Sequence, residues 1–447
     1  MKIQLFYPRT IVGCGAHNDI YWPLTLLNIT AYVKNYLHDI EINIWDGELY
    51  PNNDDLIKKL DHHTAVVGVS CTSFNYPHAL EIAKEAESNG SEVIFGGLHA
   101  TYYGETILKN RPYVHAVIYD KGEKAFLQYL TFKDKSKVQN LIWRDGKKIR
   151  KNSLGKRISL DELPSLDYSL LELEKYFENH KKIYPDFPDK PMSAMTHEGC
   201  PKRDKYGPCS FCSITSSLYF RDTKKFWNFT SKAVEDYGFN YVKDWGDSLT
   251  GNKQFLEQLI SARPKSLKDL SFSVYDNLSD INQDAFDFLK KLKVKMIFAA
   301  IESANNEILR KMNKQTTKEQ MYKAIKLISK NNIPIFTSYV LGERGETRKT
   351  LDETLKFAQD IREISDVRVS NGSPMAILPG SPNFERLVQK FPELKNQDLL
   401  DLTFLREIWT KHFCPDIYDY KIIEEYAEKI GKLGDHINRY GWNFLKK

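Results

Sequence analysis

Two series of short apolar runs, each run followed by an amphipathic stretch, constrain this chain more than any other feature. The first series is "IQLFY" (3–7), "EINIW" (41–45), "AVVGVS" (65–70), "EVIFGG" (92–97) and "HAVIY" (115–119). Between them lie helical patterns such as "PLTLLNITAYVKNYL" (23–37) and "PHALEIAKEAESNG" (77–90), the second ending on the stop signal Asn89-Gly90. Short apolar strands joined by helical crossovers read as βαβ units around a parallel sheet. Residues 1–139 are therefore expected to form a Rossmann-like, doubly wound α/β domain, with ligands beyond the carboxyl ends of its strands.

A hairpin is expected next in "NLIWRDGKKIRKN" (140–152), with Asp145-Gly146 as a type I′ turn. Residues 140–189 then read as hairpin and linker. The second series begins near 190: "MSAMT" (192–196), "NYVKDW" (240–245), "LSFSVY" (270–275), "VKMIFAAI" (294–301), "IPIFTSYVL" (333–341) and "VRVSNGSPM" (367–375). Six strand–helix units in series over 190–398 fit a partial (β/α)6 TIM-type barrel, since a full eight-unit barrel needs about 250 residues. Residues 399–447 read as a helical C-terminal region.

At 447 residues the chain is long enough for two or three domains. No apolar run reaches the roughly 18 residues of a membrane helix, and the start "MKIQLFYPRT" lacks the pattern of a secretory signal, so a cytoplasmic location is expected. The net charge of +5, from 64 basic and 59 acidic residues, gives no warrant for a nucleic-acid partner, which leaves a concentrated basic stripe.

Of the six cysteines, three fall in one loop, "HEGCPKRDKYGPCSFCSI" (197–214): Cys200, Cys209 and Cys212. Clustered cysteines in a reducing compartment are metal ligands more often than disulfide partners. Three thiolates on the loop after a barrel strand can hold three irons of a 4Fe-4S cluster and leave the fourth iron open. His197, three residues before Cys200, equally completes a Cys3His zinc set. The loop alone leaves both readings open. Cys14 and Cys71 read as ordinary thiols. Cys414, in "KHFCPDIYDY", is a candidate second thiol near the barrel mouth.

The segment "MTHEGCPKRDKYGPCSFCSI" (195–214) resembles the cluster loop of radical S-adenosylmethionine (SAM) enzymes. That loop usually reads C-x(3)-C-x(2)-C with an aromatic between the last two cysteines, here Phe211. Four later segments resemble the same family in order. They are "YVKDWGDSLTGN" (241–252), "MIFAAIESANNEILRKMNK" (296–314), "SYVLGERGETRKTLDETLKFA" (338–358) and "SPMAILPGSPNFERL" (373–387). The resemblance implies that Cys200, Cys209 and Cys212 bind a 4Fe-4S cluster whose open iron chelates SAM. Reductive cleavage of SAM to a 5′-deoxyadenosyl radical follows. It places Phe211 and, at strand ends, Asp247, Ser273 and Glu302 among the SAM contacts. Two departures stand out: five extra residues between the first two cysteines, and Arg344 in "GERGET" where the family has proline. The whole gap, "PKRDKYGP", is expected to bulge toward solvent or toward the first domain and to carry charge only for solvation.

The first 130 residues resemble the cobalamin-binding-type domain that precedes many radical SAM cores. The matching segments are "VGVSCTSFNYPHALEIAK" (67–84), "VIFGGLHATYYGE" (93–105) and "AVIYDKGEKAFLQYL" (116–130). The candidate cobalamin contacts are Thr72, Ser73, Gly96, Gly97, His99, Thr101 and Glu123, and Asp120 departs from the usual G-E-G-E pattern. Asp61 and His63 form half of an axial-histidine motif, but Val66 replaces its glycine, and the pair reads as a solvated helix end.

The expectation is thus a radical SAM enzyme that transfers a methyl group to an unactivated carbon with cobalamin. The alternatives are cobalamin-independent cyclisation, rearrangement or sulfur insertion, and, in another class, a zinc-bearing binding module. The implied partners are an unidentified small-molecule or peptide substrate and an electron donor such as flavodoxin or ferredoxin.

Overall fold

The computed structural model describes residues 1–11, 22–364 and 367–434. Cys14 and the end of the expected helical tail, 435–447, lie outside the described residues. The chain forms two compact units, Met1–His180 with Val388–Leu400, and Lys181–Leu387 with the residues from Asp401 onward.

The first unit begins with β1 (Lys2–Tyr7), α1 (Leu24–Lys34), β2 (Glu41–Asp46), α2 (Asn53–Ile57) and β3 (Val66–Ser70). It continues with α3 (Tyr76–Ser88), β4 (Glu92–Gly96), α4 (Leu98–Asn110), β5 (Ala116–Ile118) and α5 (Glu123–Thr131), and then β6 (Leu141–Asp145) and β7 (Lys148–Lys151). The sheet order is β2-β1-β3-β4-β5-β6-β7, parallel from β2 to β5 and antiparallel beyond. The strands are apolar on both sides because helices cover both: Val67, Val93 and Phe95 on the sheet and Ala79, Ile82, Ala83 and Ala86 on α3 are fully buried. Gly90, at φ +85°, ends α3 where the sequence places its stop. The parallel order 2-1-3-4-5 reverses direction between β1 and β3, the topological switch point at which such sheets take ligands.

The hairpin corrects two expectations. Asp145 pairs with Lys148, so the turn is Gly146-Lys147, one residue later than the sequence suggests. Only Gly146 has a positive φ, +59°, which is the type II′ pattern and not I′. The hairpin is also no linker. β6 pairs with the three-residue β5 and buries Leu141 and Ile142, covering what would be an open edge.

The boundaries at 139 and 398 shift for a similar reason. Tyr50 donates to Glu172 at 2.8 Å and Tyr176 donates to Asp46, which ties the connector to the first sheet. Residues 388–400 return to the first unit through Asp398, whose carboxylate accepts from Tyr76 Oη (2.6 Å), Asn110 Nδ2 (2.7 Å) and Arg111 Nε (2.7 Å). Burying one charge with three donors fixes that return.

The chain crosses between units within α6 (Leu173–Ile183). The second unit then runs β8 (Pro191–Ala194), β9 (His197–Glu198), α7 (Pro201–Tyr206), β10 (Tyr219–Phe220), α8 (Thr223–Tyr237), β11 (Tyr241–Asp244), α9 (Lys253–Ser261) and β12 (Ser271–Asp276). There follow α10 (Gln283–Lys291), β13 (Val294–Glu302), α11 (Asn306–Lys311), α12 (Lys318–Ser329), β14 (Ile335–Leu341), α13 (Arg348–Arg362) and β15 (Val367–Pro374). The helices α14 (Pro382–Lys390), α15 (Leu402–Phe413) and α16 (Tyr420–Gly431) complete it. Each strand pairs in parallel with the next, in the order β8-β11-β12-β13-β14-β15. This is the expected open, six-stranded partial barrel. α16 closes the β15 edge: a Cβ on Gly372 would meet Ala427 O at 2.9 Å. Among the described residues no helix is long and apolar enough to cross a membrane.

Gly97 carries a φ of +91° at the start of α4, and a Cβ there would lie 2.4 Å from Cys71 O. Gly97→Ala is expected to destabilise the first unit by more than about 1 kcal/mol, since both the backbone region and the space reject a methyl group. A thermal melt of the full chain should show its first transition lowered by several degrees.

Candidate functional site

The second unit gathers its polar groups at the carboxyl ends of its strands. After β8, Thr196 sends both its N–H (2.9 Å) and its hydroxyl (2.6 Å) to Asp244 at the end of β11. His197 follows. Its Nδ1 meets Thr196 Oγ1 at 3.0 Å, its Nε2 accepts from Ser248 N at 3.3 Å, and its ring stacks on Phe220. Gly246 lies so close that a Cβ would sit 2.2 Å from the imidazole. With both nitrogens engaged and the ring fully buried, His197 is a packed strut and not a fourth metal ligand.

Cys200 caps α7, which has Pro201 in its first turn and ends on Gly207 at φ +83°. The long gap is therefore a short helix, not an open bulge. Its Lys202 does more than solvate: Nζ donates to Cys209 Sγ at 3.0 Å and to Asn313 O. Cys209 and Cys212 close a tight turn through Cys212 N to Cys209 O at 3.0 Å, with Phe211 half-buried inside it. All three thiols are half-buried. Burial pushes Cys200 and Cys212 up, Cys212 to about 11, and each feels Cys209 and Asp247. The three sulfurs and the Asp247 carboxyl thus share one electrostatic neighbourhood. Among the described residues no three His, Cys, Asp or Glu groups converge as the ligands of a single ion would. Thiolates that each bind a different iron need no such convergence.

Later segments hold this loop in place. Ser210 N donates to Met312 O (3.0 Å), Ser210 O accepts from Asn383 N (2.8 Å), and Ser210 Oγ donates to Glu343. Asn383 Nδ2 also donates to Glu343 Oε2 at 2.9 Å, and burial raises the Glu343 pKa. Asn313, at φ +58°, donates to the carbonyls of Tyr206 (3.0 Å), Gly207 (3.3 Å) and Pro208 (2.9 Å), pinning the end of α7. Arg344 supplies its backbone N–H to Glu343 Oε1 at 2.8 Å. The proline usual there has no such donor, so the departure adds a bond to the turn.

The other sequence candidates fall as follows. Asp247 is half-buried, makes no hydrogen bond among the described residues, and is raised to about 6 by burial and by Asp244. Glu302 ends β13 at φ +65°, where the register with β14 shifts, and pairs with buried Lys314 at 3.4 Å. A non-glycine residue there is strained, and the bulge re-aims its side chain. Ser273 is not at a strand end: it is the third residue of β12, buried, and level with Lys243 of β11. The strand end belongs to Asp276, raised to about 7 by burial, which accepts from Ser248 Oγ (2.9 Å) and Thr250 Oγ1 (2.6 Å). Cys414 is buried against the Gly342 and Glu343 carbonyls (3.7 and 3.5 Å), its pKa pushed well up by burial. That is the setting of a structural thiol, since a reactive one is exposed and its pKa is lowered.

In the first unit, Gly96 ends β4, and Thr72, Ser73, Gly97, Thr101 and Glu123 follow the ends of β3, β4 and β5. Many already have protein partners. Thr72 N donates to Asn75 Oδ1 (2.7 Å), Thr101 Oγ1 donates to Gly97 O (2.9 Å) and Asp120 N donates to Thr101 Oγ1 (3.0 Å). His99 meets Ser73 Oγ at 2.9 Å and Asp398 O at 2.8 Å, and burial lowers its pKa to about 4. It therefore has no nitrogen to spare for a metal. Gly96 is open: a Cβ would meet only Ile118 O, at 3.7 Å, and nearby Leu98 is 47% exposed.

Comparison with known proteins agrees with this layout. Residues 195–358 match the Radical SAM superfamily and residues 19–130 match the B12 binding domain. An uncharacterized methyltransferase of Pyrococcus horikoshii is 26% identical over 385 residues, 81% of this chain and 78% of that protein. An anaerobic magnesium-protoporphyrin IX monomethyl ester cyclase of Rubrivivax gelatinosus is 28% identical over 387 residues, 80% of this chain and 66% of that one. Among solved structures, the radical SAM methyltransferase TsrM of Kitasatospora setae superposes with a TM-score of 0.67 at 15% identity, covering 87% of this chain and 78% of that one. The cobalamin-dependent SAM radical enzyme OxsB gives 0.70 at 15% identity, covering 95% and 66%. At that identity the likeness speaks for the fold. Two family matches in the expected order, on the two units that carry the expected sheets, make this chain a radical SAM superfamily enzyme with an N-terminal domain of the B12-binding type.

Proposed function

We propose that this protein is a cobalamin-dependent radical SAM methyltransferase acting on an unactivated carbon of a small-molecule or peptide substrate. The observation that carries the cluster reading is the withdrawal of His197. With both its nitrogens engaged, the Cys3His set that a structural zinc would take lacks its histidine. Three ligands suit a 4Fe-4S cluster with one open iron and leave a structural zinc site one short. Cys200, Cys209 and Cys212 would hold the cluster, which supplies the electron for SAM cleavage when bound.

The residues around it suit SAM. Asp247 is a carboxylate beside the thiols with no hydrogen-bond partner among the described residues, able to meet a cationic or hydroxyl group of the ligand. Glu302 offers a second carboxylate, held by Lys314, and the Phe211 backbone lies in the cysteine turn.

The cobalamin assignment rests on the carboxyl edge of the first sheet. Gly96 leaves its backbone open to a large flat ligand, Leu98 offers exposed apolar surface, and the switch point between β1 and β3 adjoins Thr72 and Ser73. His99 would support the edge and not ligate cobalt. The name of the Pyrococcus horikoshii relative supports methyl transfer, while that of the Rubrivivax gelatinosus relative keeps cyclisation as the alternative.

Anaerobic reconstitution with iron and sulfide should give a brown protein whose incubation with SAM and dithionite yields 5′-deoxyadenosine. Cys200→Ala, Cys209→Ala and Cys212→Ala should each abolish that product, while stoichiometric zinc without iron would refute the reading. Hydroxocobalamin should be retained in equilibrium dialysis by the cluster-loaded chain, and His99→Ala, if it folds, should leave the cobalt unshifted in its optical spectrum. Asn313→Ala should lower the iron bound per chain, having lost the amide that three carbonyls share and gained a left-handed alanine at a cost of about 1–3 kcal/mol. Asn313→Gly should fall between it and wild type, because only the hydrogen bonds are lost.

A further inference from the structure

The helix in the cysteine gap has a feature that the family spacing has no room for. Lys202, in its first turn, folds its side chain back over the loop, and its ammonium donates to Cys209 Sγ at 3.0 Å and to Asn313 O. The neighbouring cations of the loop are directed elsewhere: Arg203 Nη1 reaches toward Ser216 O at 3.5 Å, and Lys205 lies over the Tyr206 ring. Lys314, also near the thiols, is paired with Glu302. Lys202 is therefore the cation of α7 aimed at a cluster ligand, and Asn313 fixes both its acceptor carbonyl and the end of its helix.

A donor and a positive charge at a ligand sulfur favour the more negative of two redox states, because the attraction grows with the charge it meets. Outer hydrogen bonds to cluster sulfurs act on the potential in the same way. We propose that Lys202 is a positioning residue that raises the reduction potential of the cluster through Cys209. It would thereby ease uptake of one electron from a low-potential electron-transfer protein of the flavodoxin or ferredoxin class. This rests on the cluster reading above. It assigns the extra residues of the gap a role: they build the helix that delivers this ammonium.

The test uses the full chain, reconstituted anaerobically, with iron content measured and the midpoint potential read by electron paramagnetic resonance during dithionite titration. Fully loaded Lys202→Met should titrate at a lower potential than wild type, and Lys202→Arg, which keeps the charge, should recover most of the shift. An unchanged midpoint in fully loaded Lys202→Met overturns the proposal. If the methionine variant does not load, wild type carrying lysine labelled with nitrogen-15 at Nζ decides the matter. Pulsed resonance of the reduced cluster should then show a nitrogen-15 coupling that Lys202→Arg loses, and a wild type with no coupling overturns the proposal. Failure of wild type to bind iron at all would instead sink the cluster reading.

Discussion

Ser210 is the point on which the second unit's site depends. It lies between two cysteines in a loop with almost no ladder of its own, and it is held from three directions. Its N–H goes to Met312, its carbonyl receives Asn383, and its hydroxyl goes to Glu343. Each partner follows a different strand: Met312 caps the end of α11 after β13, Glu343 follows β14, and Asn383 lies in the first turn of α14 after β15. Buried polar groups cost stability unless satisfied, so these bonds must form together or the loop loses its place. The cysteines are thus positioned by residues that follow them in sequence by a hundred or more. The later family-like segments need conserve no contact with a cofactor to matter here. They hold the loop that would bind one.

The strands were legible because a short apolar run between helical patterns has few other uses. Every strand the sequence assigns to the two sheets appears in them, and the first sheet also takes in the hairpin strands β6 and β7. The unit boundaries were not legible, because they depend on pairings between distant residues. Asp398 meets Arg111 and Tyr76 across 287 and 322 positions, and nothing in the local composition of 388–400 announces it. The hairpin turn slipped by one residue because Asp145 pairs in the strand, which a dipeptide rule cannot see.

Within the site, the cysteines were legible from spacing, while the chemistry around them was not. His197 carries the same sequence signal whether it ligates zinc or packs under Gly246, and only its two partners decide. Ser273 lies inside the run "LSFSVY", two residues before its end, and the strand runs on to Asp276, so the strand-end place falls to that aspartate. The helix in the cysteine gap did leave a signal. Pro201 after Cys200 and Gly207 seven residues on are a start and a stop, but six residues show no periodicity against which to read them.

The two carboxyl edges also differ in how much of their polar capacity the protein spends on itself. In the first unit the imidazole of His99 and the hydroxyl of Thr101 are used in bonds within the unit, and Gly96 contributes open backbone. Such an edge recognises by shape. In the second, Asp247 makes no hydrogen bond among the described residues beside three thiols, and burial already holds its carboxyl at about 6. A half-buried carboxylate without a partner is costly, and a ligand that brings a cation or donor relieves that cost. The site that would take the charged ligand is the one that keeps an unspent charge, and the site that would take the large flat one keeps open backbone.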